Sequence, residues 1–400
     1  MKILVVNSGS SSIKYQLIDM LNEKVMAKGL VERIGIPDSA INHYPGEKEP
    51  IITKQDIPNH KIGIELLIRS LLHPDYGVIK NMSEISAVGH RVVHGGEKFS
   101  GSVLLSEEVM KALHDCIELA PLHNPANILG IEVCKELMPG VPQVGVFDTA
   151  FHQTLPEHAY LYGIPYEFYK KYKVRRYGFH GTSHKYVAQR AADILKKPLD
   201  KLKIITCHLG NGSSITAVKN GISVDTSLGF GTVSGIIMGT RCGDVDPAVI
   251  PFLMDKEKLS IDEINKIIYK KSGFIGLSEG ISSDNRDLGK KAKEGDERAI
   301  RALSVFDYGI KKFIGAYAAA MGGVDVVVFT AGIGENAWKV RKGACEDLEF
   351  LGIKIDPEKN KNCRKEAIIS DDNFEVKVMA IPTNEELMIA KDTMEITEKK

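Results

Sequence analysis

The strongest constraint on the fold is a local plan that occurs twice, far apart in the chain. The first copy runs Leu4-Val5-Val6-Asn7-Ser8-Gly9-Ser10-Ser11-Ser12-Ile13-Lys14-Tyr15-Gln16-Leu17. The second runs Ile205-Thr206-Cys207-His208-Leu209-Gly210-Asn211-Gly212-Ser213-Ser214-Ile215-Thr216-Ala217-Val218. Each is a short apolar strand, a Gly/Ser-rich tip and a second β-rich strand, which is the signal of a hairpin. One inserted residue aligns them. A repeat so widely spaced predicts a duplicated domain rather than a solenoid, and 400 residues exceed what one hydrophobic core usually serves. The repeat places a boundary near residue 150. It predicts one domain over 1–150 and a second over 151–384; the closing helix over 385–400 is expected to join the first.

Strand-like and helical patterns alternate around the two copies. Strands are expected over 87–94, 144–147, 324–329 and 376–381. Helical periodicity marks 106–120, 125–137, 183–195, 261–271 and 296–321. Pro125 suits a first helical turn, and Ser183 is the expected N-cap of its helix. A Gly-rich stretch fills 221–243. The pattern predicts an α/β fold with mixed sheets and helices on their faces.

Lys plus Arg equals Asp plus Glu, so the chain has no global field to hold nucleic acid or an anionic membrane. Cys116, Cys134, Cys207, Cys242, Cys345 and Cys363 include no CxxC pair, as expected of free thiols in a reducing compartment. The run Ile3-Leu4-Val5-Val6 is too short for a signal-peptide core, and no stretch nears the ~18 apolar residues of a membrane span. A cytoplasmic location is predicted.

Several residue patterns could carry chemistry. Both hairpin tips offer glycines, which let a backbone approach phosphate closely, and hydroxyl or amide donors; Lys14 adds charge beside the first. Neither tip fits GxxxxGK[ST] or opens a helix as a dinucleotide fingerprint does. For each alone, a tight turn is the plainer reading. Gly332-Ile333-Gly334-Glu335-Asn336 follows an apolar strand, at the edge where open α/β sheets bind ligands; alone it also reads as a strand-to-helix turn. His90-Arg91-Val92-Val93-His94 and His180-Gly181-Thr182-Ser183-His184 have HxxxH spacing, but neither carries the Glu of a zinc protease. Arg91 interrupts an apolar strand and needs an anionic partner. Arg241 lies in Gly239-Thr240-Arg241-Cys242-Gly243, either a surface loop or an anion-binding arginine. Asp148 ends a strand as a cap, an orienting group or a metal-linked carboxylate.

These residues together resemble a family. The runs Asn7 to Lys14, Gly89 to Gly96, Ala120 to Pro125, Val146 to His152, Tyr177 to His184, His208 to Gly212, Met238 to Arg241 and Pro382 to Glu386 resemble the acetate kinase family in order along the chain. The resemblance implies the duplicated two-domain fold of sugar kinases, Hsp70 and actin, with ATP in the interdomain cleft. It implies reversible transfer of the ATP γ-phosphoryl group to acetate, giving acetyl phosphate and ADP, with Mg²⁺ or Mn²⁺, in a homodimer. It also implies roles for individual residues. Asp148, His180 and Arg241 are catalytic. Arg91, Val93, Leu122, His123, Phe179 and Thr232 bind the carboxylate substrate. Lys14, the segment His208, Leu209, Gly210, Asn211 and Gly212, the segment Asp284, Asn285 and Arg286, and the segment Gly332, Ile333, Gly334, Glu335 and Asn336 bind ATP. Asn7 and Glu385 associate with the metal.

One stretch departs from the family pattern. Gly229-Phe230-Gly231-Thr232-Val233-Ser234-Gly235 stands where the family reads Gly-Phe-Thr-Pro-Leu-Glu-Gly. Thr232 thus replaces a proline of the acyl pocket, and Ser234 replaces a glutamate. A propionate or butyrate kinase is the nearest alternative. An Hsp70- or actin-like nucleotide switch and a sugar kinase are further ones; the switch gives Arg91 and Arg241 no purpose, and the sugar kinase needs a general-base Asp for a hydroxyl.

Overall fold

A computed structural model describes residues 1–399; Lys400, which ends the helix expected over 385–400, lies outside the described residues. The chain divides into two compact units, Met1–Gln153 with Asn384–Lys400, and Thr154–Thr383.

The first unit is built on an eight-stranded sheet. Its strands are β1 (Lys2–Ser8), β2 (Ser12–Asp19), β3 (Lys24–Glu32), β4 (Ala40–Pro45), β5 (Ile51–Lys54), β6 (Ile85–Val92), β7 (Val103–Leu104) and β8 (Gln143–Phe147). They lie in the order β5-β4-β3-β2-β1-β6-β8-β7. β1 pairs antiparallel with β2 and parallel with β6, with Val5 opposite Gly89 and Val6 opposite His90. β1 is apolar from Ile3 to Val6 because both its faces are covered there. Leu4 and Val6 pack with Ile64, Leu67, Val133 and Cys134 from helices His60–Leu71 and Asn124–Leu137. On β6, Gly89 admits helix Glu385–Glu398: a Cβ there would lie 2.8 Å from Ile389 Cγ2. That close approach sets the C-terminal helix against the middle of the sheet.

The second unit has a six-stranded sheet of β9 (Lys203–Leu209), β10 (Ser213–Lys219), β11 (Ile222–Thr226), β12 (Val326–Thr330), β13 (Ala367–Ile368) and β14 (Lys377–Ala380). Its order is β11-β10-β9-β12-β14-β13. The duplication is visible strand for strand. In each sheet an antiparallel hairpin gives its first strand to a parallel neighbour, β1 to β6 and β9 to β12. That neighbour pairs parallel with β8 or β14, and a two-residue antiparallel edge strand follows. The first sheet adds β4 and β5. Helix Glu297–Met321 buries Ala302, Phe306, Ile310, Ile314, Tyr317 and Met321 at three- and four-residue spacing. Asp296 caps its start, and Gly322 at φ +70° ends it.

Some expected boundaries shift. The helix expected over 106–120 is Glu107–Asp115 followed by a 3₁₀ turn, and the Cys116 carbonyl accepts from Asn124 Nδ2 at 3.2 Å. The strand expected over 87–94 ends at Val92, and its last two residues form a loop held from the side. The strand expected from Val324 begins at Val326, because Asp325 instead receives Lys203 N on Oδ2 (2.8 Å) and Lys377 N on its carbonyl (2.9 Å). Ser183 is not an N-cap. Helix Gly181–Leu195 starts from His180, which is left-handed at φ +56°, and Ser183 lies buried inside its first turn. No helix among the described residues is long and apolar enough to cross a membrane.

Candidate active site

In the first unit, strand register places most of the expected residues at the ends of β1, β6 and β8. Asn7 and Lys14 are direct partners across the first hairpin. At its tip Gly9 N donates to Ser12 O at 2.8 Å, and His60 Nε2 bonds the Gly9 carbonyl at 2.7 Å. Arg91 stands one residue before the end of β6. Its Nε donates to Asp148 Oδ1 at 3.0 Å and its Nη2 to Asp148 Oδ2 at 2.6 Å, a two-pronged pair. The Asp148 side chain is 3% exposed and that of Arg91 is 24% exposed, and the pair engages Arg91 through Nε and Nη2. Asp148 raises the Arg91 guanidinium above its ordinary value.

Glu385 occupies the first turn of the C-terminal helix, where Asn384 caps Leu387 N at 3.1 Å. Burial pushes the Glu385 carboxyl up to about 7; Asp148 and Glu386 add to the rise, and Arg91 and Lys14 oppose it. A cation beside this carboxylate would lift that penalty. No group of three or more His, Cys, Asp or Glu able to hold a metal occurs among the described residues. That fits Mg²⁺, which takes one or two protein oxygens and fills its shell with phosphate and water. Val93, two residues after Arg91, is buried, whereas Leu122 is 76% exposed, with exposed His123, at the turn before helix Asn124–Leu137.

Two residues missed by the sequence reading hold this arrangement. Asn127 donates through Nδ2 to Ser8 O at 2.7 Å and accepts Val93 N on Oδ1 at 3.0 Å, tying the end of β1 to the end of β6. Asn124, one turn earlier, accepts His94 N at 3.2 Å and donates to His94 O at 2.9 Å. Their three-residue spacing on one helix face was the available signal.

The second unit gathers His180, His208, Asn211, Gly212, Gly239 and Arg241. The rings of His180 and His208 stack with centroids 4.2 Å apart. A Cβ on Gly212 would lie 3.6 Å from both His180 Nε2 and Arg241 Nη1, so both groups face the hairpin tip. Arg241 Nη1 donates to the Thr232 carbonyl at 3.1 Å, and burial lowers its guanidinium from the ordinary value. Among the described residues it pairs with no carboxylate. A half-buried cation without a counter-ion marks a place for an anion. Gly239 has to be glycine: its Cβ would overlap the Asn211 carboxamide and lie 2.9 Å from Ser283 O. It thereby brings the loop of Asp284, Asn285 and Arg286 up to the hairpin tip.

In that loop Asp284 and Arg286 pair with each other at 2.6 Å, while the buried Asn285 Nδ2 has no hydrogen-bond partner among the described residues. The segment Gly332 to Asn336 belongs to a short helix, Ala331–Asn336, directly after β12, where Thr330 lies opposite His208. Arg341, absent from the sequence reading, holds that helix. Its Nη1 donates to Gly334 O at 2.8 Å and Glu335 O at 2.7 Å; Nε and Nη2 reach Asn360 Oδ1 and O at 2.7 and 2.9 Å. Phe179 is buried next to Tyr177 and Gly178, whose amides donate to Gly229 O. This places Phe179 against the loop that carries Thr232. Ser234 Oγ donates to Ser227 O at 3.2 Å, so the position that departs from the family pattern closes on its own loop.

Two duplicated sheets, one carrying the Arg91–Asp148–Glu385 group and the other Arg241 beside glycine-rich tips, give the chain a duplicated, actin-like two-domain α/β fold. The chain belongs to the acetokinase family, whose profile matches residues 2–391. It is 64% identical over 400 residues to an acetate kinase of Thermoanaerobacterium thermosaccharolyticum, covering 100% of this chain and 99% of that one. Among solved structures it resembles acetate kinase of Porphyromonas gingivalis, with TM-score 0.96, 52% identity and 99% of each chain covered. A propionate kinase of Francisella tularensis gives TM-score 0.91 at 42% identity, also over 99% of each chain.

Proposed function

We propose that this protein is an acetate kinase, transferring the γ-phosphoryl group of ATP to acetate to give acetyl phosphate and ADP, and running in reverse. The observation that carries the reading is Arg241, a half-buried cation with no carboxylate partner among the described residues, turned with His180 toward the Gly212 tip. Acetate is ionised at neutral pH, since carboxyl pKa values lie near 4. Its oxygen attacks the γ-phosphorus directly, the bond to the β,γ-bridging oxygen breaks, and ADP leaves. No general base is needed, so Asp148 serves to fix the Arg91 fork rather than to take a proton. Arg91 holds the substrate carboxylate, and Arg241 and His180 stabilise charge on the transferring phosphoryl. Val93, Leu122, His123, Phe179 and Thr232 bound the acyl group. Lys14 and the segments at 208–212, 284–286 and 332–336 hold the nucleotide. Asn7 and Glu385 hold Mg²⁺, which neutralises phosphate charge when bound.

The chain also reads as a homodimer acting in the cytoplasm. Exposed Tyr166, Phe168 and Tyr172 on one short helix, with Phe252 on another, supply apolar surface suited to a second copy.

The experiment is hydroxamate formation from ATP, Mg²⁺ and acids of two to four carbons. Acetate should be best, propionate used and butyrate poor. Butyrate as the preferred acid, or no carboxylate-dependent product, would overturn the assignment.

A further inference from the structure

Behind His180 lies a chain of buried hydrogen bonds within the second unit. His180 Nδ1 is 2.8 Å from Ser214 Oγ, which is 2.7 Å from His184 Nε2. His184 Nδ1 is in turn 2.7 Å from Thr206 Oγ1, and Thr206 Oγ1 donates to the Thr216 carbonyl at 3.4 Å. Ser214, His184 and Thr206 are all fully buried, so water does not substitute for a missing link.

With His184 neutral, proton counting over these three links leaves two states. Ser214 and Thr206 each have one hydroxyl proton, and neutral His184 has one ring proton. If Ser214 gave its proton to His180 while His184 gave its own to Thr206, the Ser214–His184 link would hold two facing lone pairs. If Ser214 and Thr206 both donated to His184, its ring would carry no proton. All three links therefore point one way or all point the other. Only one direction lets Thr206 give its proton to the Thr216 carbonyl while accepting from His184. In that direction His184 is protonated on Nδ1, Ser214 donates to His184 Nε2, and Ser214 accepts from His180 Nδ1.

We infer that Ser214, His184 and Thr206 are positioning residues that fix His180 in its Nδ1–H form through this relay. The inference rests on the reading of His180 as a group that meets the transferring phosphoryl. Its consequence is specific. Nε2, the nitrogen on the Gly212 side, becomes the atom that takes up a proton, and the resulting imidazolium keeps its Nδ1–H bond to Ser214 unchanged. The charged ring then meets an anion without reorganising its far side.

The test reads ring protonation directly, without substrates. The full chain is labelled with ¹⁵N-histidine, His180 is assigned by the signal lost in His180→Gln, and long-range ¹H–¹⁵N spectra report which nitrogen carries hydrogen. Wild type should show His180 protonated on Nδ1. Thr206→Val keeps the shape but removes the hydroxyl at the far end of the relay. His184 then turns its proton to Ser214, Ser214 turns its own to His180, and His180 becomes Nε2–H. Ser214→Ala should uncouple the ring, giving averaged shifts of two exchanging forms. In Thr206→Val, kcat should fall, though by less than the ~10²–10³ that follows loss of a donor itself. An Nε2–H ring in wild type, or wild-type shifts in either variant, would overturn the relay. A flipped ring with unchanged kcat would overturn the positioning role. Because the spectra need no turnover, an error in the acetate reading would show separately, as wild type without activity.

Discussion

Asp148→Asn tests how the first unit holds its arginine. The substitution keeps the shape of the side chain but removes the charge that meets Arg91 at 3.0 and 2.6 Å. Breaking a fully buried ion pair by removing one partner costs about 3–5 kcal/mol. Two features here reduce that figure. The Arg91 side chain keeps 24% exposure and so retains some water. Asp148 is also one of the charges that raise the Glu385 carboxyl, so its removal lets Glu385 ionise more readily and return part of the lost negative charge. About 2–3 kcal/mol should remain, which for a unit of this size lowers Tm by about 5–10 °C. Activity should fall further than stability suggests, because an amide places a donor against a guanidinium and the fork loses its orientation; a kcat loss of about 10² or more is expected. Scanning calorimetry and steady-state kinetics on the same preparation measure both. A Tm within about 1 °C of wild type, with kcat retained, would refute the idea that this pair organises the site.

Other substitutions probe different contacts. Glu385, with its carboxyl at about 7, must lose a proton to hold a metal, so apparent Mg²⁺ affinity should weaken about tenfold per pH unit below 7 and level off above it; Glu385→Gln should abolish that slope, and a wild-type slope in the variant would remove the role. The same raised value makes the folded state bind more protons than the unfolded one between about 4.3 and 7, so this group's stabilising contribution is full at low pH and declines as pH rises through that window. Arg341→Leu leaves the Gly334, Glu335 and Asn360 oxygens without their donor; it should cost about 2–4 kcal/mol and raise KM for ATP while leaving KM for acetate near wild type, and an equal rise in both would show that Arg341 does not act through the nucleotide segment. Thr232→Pro stiffens the loop whose carbonyl receives Arg241, and should shift the acetate-to-propionate kcat/KM ratio by up to about tenfold; an unchanged ratio would take Thr232 out of the acyl wall.

The parts legible in the sequence were those with a local signature. The two hairpins announced themselves through glycine and serine tips between β-rich runs, and the sheets reproduce that duplication down to their edge strands. β3 to β5 escaped notice because β3 buries only every fourth residue, β4 mixes Asn42, His43 and Pro45 into a short run, and β5 alternates half-buried and exposed residues, with lysines at Lys24, Lys28 and Lys54 weakening the pattern. Ser183 looked like a cap because its residue type favours that place, yet tertiary contacts to His208 Nδ1 and Thr383 Oγ1, both at 2.8 Å, claim its hydroxyl. The supports of the site were least legible. Asn127 reaches a carbonyl 119 positions away, and Arg341 looks like any helical arginine until its buried carbonyl partners are seen. Such roles exist only once distant segments have met. Glycines and charges inside apolar runs drew attention to the hairpin tips, Arg91 and Arg241, and the family resemblance supplied the other expected site residues, whereas the groups holding these residues in position carry no such local sign.

The most direct measurement is ³¹P NMR of the protein mixed with ATP, Mg²⁺ and acetate. The account predicts an acetyl phosphate signal that grows in step with ADP, disappears without acetate and is lost in Arg241→Ala. Inorganic phosphate and ADP released at the same rate with or without acetate, with no acyl phosphate resonance, would contradict it.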